Sequence, residues 1–420
     1  MAPVCLLTPL PCLLSAVLIE SAPRAAPDDG VYTNWLFFIR IWVVTCWMVG
    51  SLTLQMGQMA PRHEMKIRHA VVMGLLSGIA TSLTSFGIGV LFVFPVPFGM
   101  LIASPPCVGV LVVCYTYFWG AQWKSDPLLR TEVKQQMSVL GCQLSLTFIY
   151  PSWIYGFISL TGFYQALFVL ALPIIKLLAK NWISRALGKR NDAKPEEVIF
   201  NVEIFNSLYA ANALQNASTW GVSVIIMLID LLNFWISMLD IVKILNESNK
   251  AVMTSSVLPA EVNAVTSTVK LETIFSRKER ARFINKAARL LFVLEYLVLI
   301  EYVEVVLPIV YSLHRVILFH LHNRAYYPSL AHISSSKLVA STLSVLGYGA
   351  LEFASLVMTL VTLKRVLGFS SLSQLTFVLE KQANKVQSKL TILFVYLMEV
   401  SLVHLGSDLS FNFAWIKSRQ

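Results

Sequence analysis

Runs of about 20 consecutive apolar residues recur along this chain, and no other feature constrains its fold as strongly. A helix needs roughly that length of apolar sequence to cross the hydrocarbon layer of a bilayer. The composition agrees, because 56% of the residues are hydrophobic and only 13% are charged, against about 25% charged residues in a soluble domain. The sequence therefore predicts an all-α, polytopic transmembrane helical bundle. It excludes soluble enzymes, disordered regulators and small secreted disulfide scaffolds.

Nine apolar runs have the length of a span, and a tenth stretch is doubtful because it carries four Asn or Gln residues and one Glu. Lys and Arg cluster in every second connection, which the positive-inside rule assigns to the cytosol. This alternation holds only if residues 198–242 cross twice, which gives ten spans with both termini outside. The predicted spans are Trp35–Leu54, Ala70–Phe94, Phe98–Gly120, Met137–Leu160, Phe163–Leu178, Val198–Gln215, Trp220–Val242, Leu290–Val310, Leu338–Leu363 and Leu390–Ser410.

These spans suggest three parts of the chain: an N-terminal leader or outer segment at 1–34, a first five-span half at 35–197, and a second five-span half at 198–420. The first 20 residues are apolar but lack a basic n-region, so a cleaved signal peptide and a retained outer segment both stay open. We expect a multi-pass membrane protein, in a plasma membrane or an endomembrane.

The longest connection, at about 243–289, is interpreted as a cytosolic loop that ends in a basic helix. Four basic residues follow one another there at intervals of four, four and three, along one helix face; they are Lys278, Arg282, Lys286 and Arg289. Each such residue near an anionic leaflet contributes about 1 kcal/mol. We expect residues 276–289 to extend the eighth span as a helix along the inner leaflet. Ordinary anchoring of that span and specific binding of anionic lipid both remain open.

Acidic residues near the middle of predicted spans are the strongest functional signal, because each costs about 2.5–3.5 kcal/mol on insertion scales. They are Asp230, Glu301, Glu304, Glu352 and Glu399. Glu301 and Glu304 lie three residues apart and share a helix face. Deep basic residues are fewer, namely Arg40, Lys176 and Arg315. These bases cannot neutralise five acids one for one, so we expect some acids to bind a proton, a cation, water or a hydrogen-bond donor.

Four functions remain open at this point. The leading interpretation is a transporter or channel whose acids couple to protons or cations, and a polar cavity at mid-membrane would favour it. Acids that are individually capped by hydroxyl groups in a dry bundle would indicate helix packing instead. An outward-facing pocket with aromatic walls would favour a receptor that signals through the long loop, and a scaffold is the third alternative.

Several classes of partner and chemistry are not expected. No activated nucleophile or metal-ligand set is readable, so we predict no enzyme, no bound metal and no cofactor. The net charge is +10. The basic residues lie between apolar runs, and this placement indicates orientation in a bilayer rather than nucleic-acid binding. The expected partners are the lipid bilayer and an ion or small solute.

Weaker patterns predict local contacts. Gly74 and Gly78 form a GxxxG pattern, which indicates close helix packing. His404 and Asp408 are four residues apart on the last predicted span, where they would form a hydrogen-bonded pair. A final group should lie at the membrane interface near the outer end of the eighth span, with the two tyrosines as part of an aromatic belt; it comprises His314, His320, His322, Tyr326 and Tyr327.

The last third of the chain resembles a large family of multi-pass membrane proteins of oomycetes. The resemblance rests on EYVEVVLPIVYSLHRVILFHLHNRAYYP at 301–328, on GYGALEFASLVMTLVTLKRVLGFSSLSQLTFVLE at 347–380, and on LTILFVYLMEVSLVHLGSDLSF in the last span. That family has no assigned activity, so the resemblance implies a membrane bundle and no ligand or catalytic residues. It also implies that the acids at 301, 304, 352 and 399 belong to a common core.

Overall fold

The computed structural model describes residues 7–59, 65–187, 202–232, 277–367, 371–381, 383–399 and 402–407, with isolated positions at 198, 234–235 and 239. Within these ranges the chain is helical and contains no strand, which confirms the predicted all-α bundle. The predicted cytosolic loop before residue 277 and the C-terminal residues after 407 lie outside the described ranges.

Thirteen helices of eight or more residues are described. In chain order they are α1 (Leu10–Ser21), α2 (Trp35–Met59), α3 (Ile67–Leu91), α4 (Gly99–Ser125), α5 (Pro127–Ser159), α6 (Gly162–Val169), α7 (Ala171–Leu187), α8 (Ile204–Gln215), α9 (Trp220–Leu232), α10 (Arg277–His320), α11 (Ser335–Leu367), α12 (Ser371–Lys381) and α13 (Ala383–Glu399).

Six segments in the described part of the chain are long and apolar enough to cross a membrane. They are α2, α3, α4, the combined α6 and α7, the C-terminal part of α10, and α11. This set is compatible with a multi-pass membrane protein, and each segment overlaps one of the predicted spans. The helices α1 and α9 are apolar but shorter, so the count of ten spans stays a prediction.

Connections predicted to lie on the outer or lumenal side are neighbours at one end of the bundle. The backbone N–H of Gly162 donates to Ser218 Oγ at 3.2 Å, which joins the α5–α6 turn to the α8–α9 turn. The backbone N–H of Phe98, just after the α3–α4 turn, donates to the carbonyl oxygen of Gly406 at 2.9 Å. These contacts agree with the predicted alternation of the chain between two membrane faces.

Small residues let α2 and α3 pack closely along their length. A Cβ atom added at Gly74 would stand 2.5 Å from the carbonyl oxygen of Cys46, and one added at Gly78 would stand 2.8 Å from that of Trp42. One turn further on, Ser82 Oγ donates to the carbonyl oxygen of Phe38 at 2.9 Å. The predicted GxxxG contact is therefore present, and backbone from the neighbouring helix occupies the space that a side chain would need.

The doubtful polar stretch forms α8, which lies at the centre of the bundle. Ten of its twelve residues are buried, and the helix packs against α5, α10 and α11. Mean hydropathy underestimates such a helix because its polar side chains face other helices rather than lipid. Its C-terminal cap, Asn216, donates its side-chain amide to Asn212 Oδ1 at 2.7 Å.

The last predicted span is wrong at its C-terminal end. The helix α13 ends at Glu399 rather than continuing to Ser410, and the chain then turns at Gly406, which has a φ of 61°. The backbone of Val96 lies directly against Gly406, so a Cβ atom there would collide with it. This contact with the α3–α4 turn fixes the path of the chain after α13.

The extension of the eighth span is confirmed as a helix. The single helix α10 runs from Arg277 to His320, a length of 44 residues, or about 66 Å at 1.5 Å per residue. A bilayer core is about 30 Å thick, so the N-terminal half of α10 extends beyond the membrane-spanning part. Its position against the inner leaflet stays a prediction.

Candidate functional site

Lys176 is the centre of a buried group of charged residues. This side chain on α7 is 15% exposed, and its Nζ lies 2.8 Å from Glu203 Oε2 and 3.1 Å from Glu304 Oε1. The other oxygen of Glu203 binds Lys180 Nζ at 2.6 Å. Lys176 was predicted as a partner for the deep acids, and the structure brings it to Glu304 as well as to a carboxylate that the sequence did not single out.

Asp230 and Glu352 approach this group through Tyr348. The hydroxyl of Tyr348 on α11 donates to Asp230 Oδ2 at 2.7 Å, and Glu352 lies one turn further along the same helix. Asp230, Glu304 and Glu352 all lie within electrostatic range of the Tyr348 hydroxyl. Three of the predicted acids therefore meet at one place in the bundle, although they come from three different helices.

Glu301 is hydrogen-bonded separately, on the neighbouring face of α10. Ser355 Oγ donates to Glu301 Oε2 at 2.7 Å and lies 2.8 Å from the carbonyl oxygen of Glu352. Glu301 is buried, and it also lies within electrostatic range of Lys176 and Asp230. This hydroxyl cap is the arrangement expected for an acid that helps helices to pack, and Asp230 with Tyr348 has the same form.

We call these seven residues the carboxylate cluster: Lys176, Lys180, Glu203, Asp230, Glu301, Glu304 and Glu352. It contains five carboxyl groups and two ammonium groups, so charge balance requires protons or cations at several of the carboxyls. Glu399 is the last residue of α13, and its side chain lies outside the described part of the structure.

Arg40, the second predicted charge partner, lies in a different group of residues near the end of the bundle that carries the predicted outer turns. Its guanidinium binds Glu20, which also binds Arg24 and accepts a hydrogen bond from the Tyr327 hydroxyl. The side-chain amide of Asn323 donates to the backbone carbonyl oxygen of Glu20 at 2.7 Å. Arg40 was predicted as a possible charge partner of the deep acids, and the described carboxylate that it binds is Glu20 on α1, which lies outside that set.

The predicted interface group is wrong for three of its residues. Tyr327 is buried against Glu20, and the hydroxyl of Tyr326 donates to the carbonyl oxygen of Arg24 at 3.1 Å. His314 is also buried, whereas His320 and His322 are exposed. The tyrosines hold the N-terminal segment to the bundle instead of forming an aromatic belt.

The predicted helical pair of His404 and Asp408 is not formed on a helix. His404 lies in a short 3-10 turn, and its Nε2 is 3.0 Å from the carbonyl oxygen of Ala25 and 3.1 Å from Asn34 Oδ1. Asp408 lies outside the described residues. His404 therefore joins the C-terminal segment to the N-terminal segment.

A cavity of about 520 Å³ lies between the two groups of charged residues. Its walls include aromatic and aliphatic residues of α4, α5 and α8, while Arg315 of α10 supplies a charged group and His314 a polar ring. Arg315, the third predicted charge partner, binds Gln215 and the carbonyl oxygen of Ser329. It thus lies at this cavity, and among the described residues it makes no contact with the carboxylate cluster.

Tyr150 lies between the cavity and the carboxylate cluster. Its ring stacks on Phe205 and Tyr209, with centroid distances of 5.5 and 5.1 Å, and Tyr209 lines the cavity. The Tyr150 hydroxyl is fully buried, has no hydrogen-bond partner among the described residues, and lies within electrostatic range of Lys176 and Glu203. One aromatic side chain thus separates the space of the cavity from the charges of the cluster.

The sequence missed two carboxylates that organise these groups, Glu203 and Glu20. Glu203 lies at the start of a stretch whose hydropathy is too low for a clear span, and Glu20 follows a segment that a signal peptide would also explain. An available signal was the spacing of Lys176 and Lys180. They lie one turn apart on a helix, where like charges repel each other, and an acidic residue between them relieves that repulsion.

Within the described part of the chain, no group of three or more His, Cys, Asp or Glu side chains is placed to hold a metal ion. In comparisons with known proteins, no family model, no curated protein and no solved structure matches this chain. The resemblance of its last third to a family of oomycete membrane proteins therefore stays a prediction. What supports a function is the geometry of the carboxylate cluster and of the cavity.

Proposed function

We propose that this multi-pass membrane protein is a transporter or channel in which the carboxylate cluster couples to the movement of protons or cations. The observation that carries this proposal is Lys176, whose single ammonium group lies within 3.1 Å of two carboxylates, the fully buried Glu203 and the half-buried Glu304. A lysine shared in this way can strengthen one ion pair as the other carboxylate takes up a proton or a cation. Intramembrane ionisable residues with such partners are a recognised feature of ion and proton pathways.

The hydroxyl caps on Glu301 and Asp230 support helix packing as well as transport, so they do not decide between the two. Glu304 differs from them, because its partner in the described structure is a lysine that it shares with a second acid. Excess carboxyl groups around this lysine provide the binding positions that a coupled ion needs. We therefore place the coupling step at Glu304, Lys176 and Glu203.

Ion movement can be measured in vesicles of neutral phospholipid that contain the full chain and a pH-sensitive dye. Valinomycin and a potassium gradient impose a membrane potential, and the dye reports proton entry; a sodium gradient replaces the potential in a second series. We expect faster entry than in protein-free vesicles, and we expect Glu304→Gln to reduce it strongly. Glu380→Gln, at an exposed site on α12, is the matched control and should behave like the unmodified protein.

Two results would contradict the proposal. One is ion entry no faster than in protein-free vesicles in either series. The other is entry that Glu304→Gln leaves unchanged, because an amide keeps the hydrogen bond to Lys176 but cannot carry the charge. In that case the carboxylate cluster would serve packing.

A receptor is a second proposed function, and the cavity is the observation that favours it. Six of its lining residues are Phe or Tyr, and its position is at the end of the bundle that carries the predicted outer turns. A receptor would transmit occupancy of this cavity to the predicted cytosolic loop. A cysteine introduced at position 256 should then react at a different rate with a water-soluble thiol reagent when the cavity is filled, and an unchanged rate would argue against signalling.

A further inference from the structure

Arg315 is a buried cation at the wall of the cavity. It is 5% exposed, and its guanidinium donates to Gln215 Oε1 and to the carbonyl oxygen of Ser329, the latter at 3.3 Å. Within the described part of the chain it makes no ion pair with a carboxylate, and its Nε has no hydrogen-bond partner. A buried charge without a counter-charge is unfavourable, so this side chain calls for an anion.

His314 adds a second unsatisfied group at the same wall. Its ring is 2% exposed, and neither nitrogen has a hydrogen-bond partner among the described residues. The ring packs edge-on against Phe394 with centroids 5.5 Å apart. Two adjacent residues therefore present free donor or acceptor capacity beside one cavity, whereas buried polar groups are usually paired.

The remaining walls fit an apolar group. Leu101, Phe148 and Tyr155 line the cavity and are also 48%, 48% and 41% exposed at the outer surface of the helices, which is the surface that meets lipid in a spanning bundle. The cavity thus reaches from a buried guanidinium to the lipid-facing side. Its volume of about 520 Å³ lies in the ordinary range for sites that enclose a small organic ligand.

We propose that this cavity binds an amphipathic anion, a molecule with one carboxylate or phosphate head and a hydrocarbon tail. The head pairs with the guanidinium of Arg315 and with His314, and the tail lies along Leu101, Phe148 and Tyr155. A guanidinium suits this role because it can bind both oxygens of such a head at once. The proposal concerns binding alone and does not depend on ion movement through the carboxylate cluster.

The test measures saturable binding of radiolabelled dodecanoate to the full chain in nanodiscs of phosphatidylcholine, with empty nanodiscs as background. Butyrate carries the same head without the tail, and dodecyltrimethylammonium carries the same tail with the opposite charge. We expect unlabelled dodecanoate to compete and the other two compounds not to compete. The anionic head could belong to a membrane lipid or to a free fatty acid, and phosphatidylglycerol in the nanodisc distinguishes the two. Competition of phosphatidylglycerol with dodecanoate identifies a membrane lipid as the ligand, and an absence of competition identifies a free carboxylate. Either result supports the site.

Variants locate the site. Arg315→Met should weaken dodecanoate binding about 10- to 100-fold, the range for a hydrogen bond to a charged group, and Arg315→Lys should recover part of the loss. Lys337→Met removes one exposed positive charge near the same end of the bundle and is the matched control. Ser329→Trp, at an exposed residue of the cavity wall, should block binding without removing any charge and covers the case in which Arg315→Met fails to fold.

Three results would overturn the proposal. They are an absence of saturable dodecanoate binding above empty nanodiscs, equal competition by the cationic amphiphile, and binding that both Arg315→Met and Ser329→Trp leave unchanged. The last result would place any bound dodecanoate elsewhere on the protein.

Discussion

Replacement of Glu203 by glutamine isolates the energetic role of the carboxylate cluster. Glu203 is fully buried, and each of its two oxygens binds a different lysine, Lys176 at 2.8 Å and Lys180 at 2.6 Å. Glutamine keeps nearly the same volume but carries no charge. Both ammonium groups would then lose a counter-charge, and the side chain of Lys176, which is 15% exposed, has little access to water.

The structure bounds the size of this effect. Removal of one partner from a buried ion pair costs about 3–5 kcal/mol in free energy of unfolding. Two features favour the low end of the range: Lys176 keeps Glu304 at 3.1 Å, and the side chain of Lys180 is 33% exposed and can be hydrated. We therefore expect Glu203→Gln to lower the free energy of unfolding by about 3 kcal/mol.

The free energy can be measured by steric trapping in lipid bicelles, where unfolding of membrane proteins is observed in a bilayer. The exposed Glu380→Gln is the matched control and should change stability by less than about 0.5 kcal/mol. Lys176→Met should be at least as destabilising as Glu203→Gln, because it leaves Glu304 without its described ammonium partner. If Glu203→Gln proved no more destabilising than Glu380→Gln, the cluster could not be the buried ion-pair network that we describe.

Three further predictions follow from the packing and the chain path. Gly74→Ala should destabilise the protein by about 1–3 kcal/mol, because a Cβ atom there meets the Cys46 backbone. Gly87→Ala faces open space and should be neutral or stabilising by up to about 1 kcal/mol. Thermal unfolding in detergent compares the two variants. Cysteines at Arg185 and Arg280 should react with a membrane-impermeant reagent from the same side, and labelling from opposite sides would refute the two crossings of residues 198–242. Charge reversal of the basic helix should weaken co-sedimentation with phosphatidylglycerol vesicles, and equal sedimentation would refute its lipid contact; the changes are Lys278→Glu, Arg282→Glu and Lys286→Glu.

The sequence by itself determined the membrane class, the helical fold and the approximate positions of the six long apolar segments. Hydrophobic burial in lipid depends on composition over about 20 residues, so each of these segments can be recognised without knowledge of its neighbours. The same locality explains why the close approach at Gly74 and Gly78 was predictable, since small residues at a four-residue spacing lie on one helix face.

Tertiary structure alone decided which charges meet. Glu304 and Lys176 are 128 residues apart. On sequence grounds Arg40 was an equally good candidate partner for Glu304, but the structure places Arg40 beside Glu20. Arg315, too, faces a cavity rather than an intramembrane acid. Ion pairs depend on distances of about 3–4 Å between side-chain atoms, and those distances are set by how whole helices pack. The path of the chain after α13 has the same origin, because the backbone of Val96 against Gly406 is a contact between segments that no local pattern encodes.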